Sequence, residues 1–165
     1  MTDGAISNRP AEEKIIRLRL NELHLFKGYS ALNGIMPRNQ PYLVRDEDPS
    51  MVRLIARIKA RGVRQPALVR PDPEGGYEII DGHRRYRASE LAERPDMPVI
   101  IRDLSDEEAV AEMVDGNVQR ENVLPSERAW AYRMYLEADK KRAGRPAKNS
   151  PKISANFRSD DEVGK

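Results

Sequence analysis

The sequence predicts an α+β domain, a small mixed β-sheet with helices packed on it, followed by a helical extension. Three observations carry this expectation. Ile16, Leu18 and Leu20 alternate with Arg17 and Arg19, the pattern of a half-buried strand. Further short apolar runs at 67–69, 77–81 and 98–104 are interleaved with helical periodicity at 49–61 and 84–91. Two more helical stretches, 105–117 and 124–142, then follow one another without a strand between them.

Residues 1–14 form a polar lead-in read as disordered. After the first strand, Asn21-Glu22-Leu23 suggests a short helical turn, and residues 27–43 mix Gly, Pro and Asn as a long loop. Such loops in compact domains are often functional. "DPSMVRLIARIKARG" is punctuated as a helix. Asp48 or Ser50 caps it, Pro49 fits its first turn, Met51, Leu54, Ile55 and Ile58 form one apolar stripe, and Gly62 closes it. A strand at Ala67–Val69 leads to a hairpin turn at Asp72–Gly76 and a returning strand, "YEIID". Gly82 breaks that strand and a helix runs from Arg84 to Leu91. "PVIIRDL" is the last strand. Ser105 and Glu108 form a capping box for the next helix, with Ala109, Val110 and Met113 facing inward. Ser126 is expected to cap the final helix, with Ala129, Trp130, Tyr132, Met134 and Leu136 as its apolar surface. Residues 15–104 are thus the core domain, 105–143 the extension and 144–165 a linker or tail.

The composition narrows the possible functions. The chain has 165 residues, of which 39% are hydrophobic and 34% charged, and its net charge is +2. It has no cysteine, which excludes disulfides, thiol nucleophiles and thiolate metal sites and fits a reducing compartment. His24 and His83 lie far apart, against a histidine-based zinc site. No apolar run approaches the roughly 20 residues of a membrane span, and the first residues lack a signal-peptide core. A soluble, cytoplasmic protein with no membrane partner is expected.

The stretch "DGHRRYRASEL" concentrates the positive charge. A strand that stops at glycine and opens a helix directs free N–H groups to one spot, and the helix dipole adds partial positive charge there. Arg84, Arg85 and Arg87 can grip phosphate oxygens in pairs. Equally, these arginines can be solvated or paired with Asp81 or Glu90. A second polar cluster, Asn117, Gln119, Arg120, Glu121 and Asn122, lies between two amphipathic helices. It is either a site for a divalent ion held by carboxylate and amide oxygens or a solvated helix–helix turn.

Taken together, "YEIIDGHRRYRASEL" and "MPVIIRDLSDEEAVAEMVDGNVQRENVLPSERAWAY" resemble the N-terminal domain of the ParB/RepB partition family, in the variant typical of plasmids and mobile elements. Its two boxes read G-[EH]-R-R-x-R-A and E-N-x-Q-R-E-x-x-x-P-x-E-x-A, and the similarity covers roughly residues 15–137. The resemblance implies a ParB/sulfiredoxin-like fold that binds CTP. Nucleotide then gates self-dimerisation around DNA, and a ParA-type ATPase is a further partner. On that reading Gly82, His83, Arg84, Arg85 and Arg87 hold phosphates, and Asn117, Gln119 and Arg120 complete the phosphate and Mg²⁺ side. Gln119 and Arg120 are also the candidates for a catalytic role. "GVRQPALV" matches a further family segment, which puts Gln65 and Pro66 at the base or ribose.

The chain departs from the family pattern in three places. Gly116 stands where the family has Glu, leaving Asn117 and Asp115 as metal ligands and implying at most weak CTP hydrolysis. His83 stands where many members have Glu. The sequence ends at "SDDEVGK", where a helix-turn-helix would begin, so that module is expected to be absent or truncated. Two other readings remain open. One is a phosphotransferase of the free-serine-kinase kind, in which Glu121 or Asp115 lies near a bound triphosphate. The other is a nucleotide-free adaptor using Trp130, Tyr132, Met134 and Tyr135.

Overall fold

Five strands and four α-helices follow one another in the computed structural model, which describes residues 13–27, 44–117, 120 and 123–143. β1 (Ile15–Arg19) leads through a 3₁₀ turn (Leu20–Glu22) to β2 (Leu23–His24). After them come α1 (Pro49–Arg61), β3 (Ala67–Pro71), β4 (Tyr77–Asp81), α2 (His83–Leu91), β5 (Asp96–Ile101), α3 (Asp106–Asp115) and α4 (Pro125–Ala143). Most of the expected lead-in, most of the 27–43 loop and the 144–165 tail lie outside the described residues.

The sheet order is β1-β5-β3-β4-β2 and its pairing is mixed. β1 and β5 are antiparallel, β5 and β3 parallel, β3 and β4 antiparallel, β4 and β2 parallel. The two-residue β2 was not expected, because Leu23-His24 is too short to show a period. The last strand is displaced from its expected 98–104 span: it starts at Asp96, ends at Ile101 and contains Pro98. Proline lacks a ladder donor and is normally confined to edges. Here Pro98 sits opposite Arg17 of β1, while pairing with β3 begins only at Val99, so Pro98 stands outside the β3 ladder.

Both faces of the sheet are covered, which explains why β4 reads as a continuous run of buried residues rather than an alternation. Ile79 packs with Val69, Met97 and Val99 on one face. Ile80 points the other way, into Phe26, Val110, Met113 and Met134. The extension formed by α3 and α4 therefore shares a core with the strands. A third cluster, Met51, Ile58, Ala88 and Ala92, locks α1 to α2.

The punctuation of α1 is as expected: the Asp48 side chain accepts the Ser50 N–H, Pro49 opens the helix, and Gly62 ends it at φ 74°. Ser105 and Glu108 form the capping box of α3. Ser105→Ala should therefore lower stability by about 1 kcal/mol, read as a shifted denaturant midpoint with unchanged slope; an unshifted midpoint would deny the cap any energetic role.

The start of α4 differs from expectation. The helix begins at Pro125, so Ser126 lies inside it, and the buried Glu127 carboxylate takes the Leu124 N–H instead. Its inward face also differs. Glu127, Ala131, Met134 and Ala138 are buried, four positions at helical spacing, whereas Ala129, Tyr132 and Leu136 are exposed. Two alanines flank Met134 on the face that packs with Ala109, Val110, Met113 and Val114 of α3.

Candidate functional site

The site is built where β4 becomes α2. The β3–β4 register slips between Leu68–Asp81 and Val69–Ile79, a bulge that bends β4 just before its end. Gly82 then adopts φ 104° and ψ 22°, and its carbonyl accepts the Tyr86 N–H as the first helical bond. No side chain caps α2. Among the described residues the leading N–H groups of the helix thus have no side-chain acceptor, at the positive end of its dipole.

The three arginines of this turn have distinct surroundings. Arg87 is committed: its guanidinium pairs with both oxygens of Asp46 and reaches Glu90. Arg85 donates to the carbonyls of Gln65 and Pro66, at 2.9 and 2.5 Å, and to Asp81 at 3.2 Å. It therefore ties the turn to the segment before β3. Arg84 donates to the Ser50 hydroxyl at 2.6 Å, near the start of α1, and meets no carboxylate within ion-pair range among the described residues. Of the alternatives posed by the sequence, pairing with acids is seen for Arg85 and Arg87, while Arg84 meets a hydroxyl.

His83 is buried, and its Nε2 has no hydrogen-bond partner among the described residues. Burial drives its pKa down to about 4. The Asp81 carboxylate opposes that shift and the Arg120 charge adds to it. The ring is therefore neutral at pH 7, and Asp81 and Arg120 lie close enough to act on it. This brings the second polar cluster against the arginine turn.

A second contact across the site involves Gly116, at the end of α3. A Cβ at that position would stand 3.6 Å from the Asp81 carboxyl carbon. Asn117 is buried and its amide donates to the Met113 carbonyl at 2.8 Å. Asp115 is exposed, and partial burial holds its carboxyl above the usual range. Gln119, Glu121 and Asn122 lie outside the described residues. Among the described residues no three His, Cys, Asp or Glu side chains converge as a metal cage.

A cleft of about 540 Å³ adjoins the turn, between the C-terminal half of α1 and the link to β3. Gln65 and Arg85 line it together with Leu54, Arg57, Ile58 and Arg61, a lining that mixes apolar and cationic side chains. Pro66, Arg84 and Asn117 do not line it. Arg57, Arg61 and Asp46 were not singled out in the sequence, and Ser50 only as a candidate cap. Nothing in the spacing of a helix tells which of its exposed residues a distant turn will meet.

The ParB N-terminal domain model matches residues 31–118. The "Probable chromosome 1-partitioning protein ParB" of Deinococcus radiodurans is 45% identical over 91 residues, 55% of this chain and 31% of that protein. A C-terminally truncated chromosome-partitioning protein ParB from Caulobacter crescentus, complexed with CTP-gamma-S, is 30% identical with a TM-score of 0.52. The match covers 77% of this chain and 65% of that one. The same protein complexed to the centromeric parS site is 26% identical with a TM-score of 0.55, covering 76% and 58%. The chain spans between 21% and 40% of the length of the curated relatives it matches. No helix among the described residues is long and apolar enough to cross a membrane.

Proposed function

Because this chain belongs to the ParB N-terminal domain family, we propose that it is the nucleotide-binding part of a DNA-partition protein and that its ligand is CTP. The triphosphate lies over the free N–H groups that open α2, gripped by Arg84, with the neutral His83 beside it. The cleft next to Gln65 takes the base and sugar, and Arg85 holds that wall to the turn. Arg87, committed to Asp46 and Glu90, supports the turn from behind. Arg120 completes the phosphate side, and Gln119 and Asn117 belong to the same segment.

One observation carries this reading. The uncapped start of α2, the Gln65–Pro66 segment and the end of α3 lie around one place, linked by Arg85 and by the approach of Asp81 to Gly116. Support for CTP over other nucleotides comes from the Caulobacter crescentus relative crystallised with CTP-gamma-S. Support for DNA as a partner comes from the complex of that relative with parS. Occupancy of the site by CTP gates self-association on DNA, and the plasmid-type variant and a ParA-type ATPase partner belong to the same proposal.

Titration calorimetry with CTP, ATP, GTP and UTP in Mg²⁺ tests the reading. CTP should bind at sub-millimolar concentration, and absence of binding would reject it. Arg84→Ala should weaken CTP by about 1.5–3 kcal/mol, the range of hydrogen bonds to charged groups, or roughly tenfold to more than a hundredfold. Arg87→Ala should leave CTP affinity within a few-fold of the parent. Equal losses in the two variants would contradict the division of roles.

A further inference from the structure

The charge on α1 is all of one sign. Its sequence, PSMVRLIARIKAR, holds three arginines and a lysine and no acid. Arg53, Arg57 and Arg61 recur at every fourth position, so they lie along one side of the helix, about 6 Å apart along its axis. Arg64 continues the charge into the link to β3, and all four are exposed. Lys59 and Arg61, in the last turn, gain from the helix dipole. Arg53 and Arg57 gain nothing from it, and like charges four residues apart repel. The stability of the helix therefore gives no reason for the row.

Arginines elsewhere on the sheet meet acids. Arg17 pairs with Asp96, Arg70 with Glu78 and Asp106, and Arg102 with Glu13 and Glu112. Among the described residues no carboxylate lies within ion-pair range of Arg53, Arg57, Arg61 or Arg64. The charge also runs past the cleft beside Gln65: Arg57, Arg61 and Arg64 border it, and Arg53 lies outside it. A base and a sugar carry no charge to match this row.

The row fits a polyanion with regularly spaced charges. Guanidinium forks pair with phosphate oxygens, and contacts of this kind hold a protein on a duplex without reading its sequence. A groove for an acidic peptide would set large apolar anchors between its charges. Here the exposed neighbours three residues on from Arg53 and Arg57 are Ala56 and Ala60. A single-strand site would interleave aromatic rings for bases to stack on, and residues 49–65 contain none. We propose that the outer face of α1, from Arg53 to Arg61 with Arg64 beyond it, is a surface that holds the phosphate backbone of duplex DNA without sequence preference. The inference rests on DNA as the partner named above, and not on CTP. It gives this domain a grip on DNA of its own.

The test is fluorescence anisotropy of the full chain with a labelled duplex of arbitrary sequence, over a series of salt concentrations and without nucleotide. The parent should bind with an affinity that falls steeply as salt rises. Arg53→Ala, Arg57→Ala and Arg61→Ala together should weaken binding at low salt by about tenfold or more. The slope of log affinity against log salt should drop by about 2–3, since each lost phosphate contact removes about 0.9. Arg53→Lys, Arg57→Lys and Arg61→Lys together should keep the slope, because charge sets it. An equal loss of charge at β1, through Lys14→Ala, Arg17→Ala and Arg19→Ala, should leave the affinity within about threefold, as exposed charges remote from the contact are screened. Thermal unfolding checks that each variant is folded. No duplex binding by the parent, an unchanged slope in the α1 alanine variant, or an equal loss in the β1 variant overturns the inference. Tighter binding of the single strand of the same sequence, or of poly-glutamate, overturns it as well. None of these outcomes alters CTP titration of the parent, on which the nucleotide reading stands.

Discussion

Gly82→Ala should destabilise the protein by about 2–5 kcal/mol. Two separate penalties add. At φ 104° an L residue is strained by roughly 1–2 kcal/mol. The new methyl would also stand 2.8 Å from the Ala67 Cβ and 3.2 Å from its Cα, in a core region with no room, for about 1–3 kcal/mol of overpacking. Against a total stability of about 5–15 kcal/mol this is a large fraction. Relief of the clash must displace β3 or rotate the start of α2, so CTP affinity should fall in the same variant. Chemical denaturation of the parent and Gly82→Ala decides the point; a loss below about 0.5 kcal/mol would mean that the turn tolerates a side chain and that its shape is not set by glycine.

Stability should also fall on acidification from about pH 6.5 towards pH 4, and His83 should be the main cause. The folded-state pKa, about 4, lies below the ordinary histidine value of about 6.5 because the ring is buried and gains no acceptor. Between those values the unfolded chain binds a proton that the folded chain refuses, so the stabilisation present above pH 6.5 is progressively lost as the pH falls. The full difference corresponds to roughly 3 kcal/mol. The carboxylates of Asp46, Asp48 and Asp72, held below their usual range by Arg87, Ser50 and Lys27, lose their contributions only at lower pH. Asp115, raised by burial, acts in the opposite sense. Denaturation midpoints of the parent and His83→Gln from pH 4 to 7.5 separate these contributions. The variant should show a flatter profile over pH 4–6.5, and an unchanged slope would place the proton elsewhere.

These two neighbours divide the work of the turn. Gly82 lets the chain reverse tightly enough to expose the helix start, and His83 lines it without adding charge. An arginine-rich opening of α2 is unfavourable for the helix alone, since cations at an N-terminus oppose the dipole. The structure resolves this by pairing Arg85 and Arg87 with acids and leaving Arg84 near a hydroxyl.

Elements whose signal is local could be read from the sequence directly. The Asp48-Pro49 start and Gly62 end of α1, the Ser105–Glu108 box, the Asp72–Gly76 turn and the Gly82 break all depend on side chains acting within a few residues of themselves. The strand–glycine–helix junction was legible for the same reason, and with it the location of the candidate site. The inward face of α4 was not, because which side of a helix is buried depends on the neighbour it meets. The partners of the arginines were decided by the fold as well: Asp46 lies 41 residues from Arg87, Ser50 34 from Arg84 and Gln65 20 from Arg85. The approach of Asp81 to Gly116 is of the same kind. Sequence alone sets where this backbone turns and where its helices are capped, since those energies are short-ranged. Only the packed sheet and helices decide which charges meet, since contacts between residues remote in sequence exist only once the chain has closed around its core.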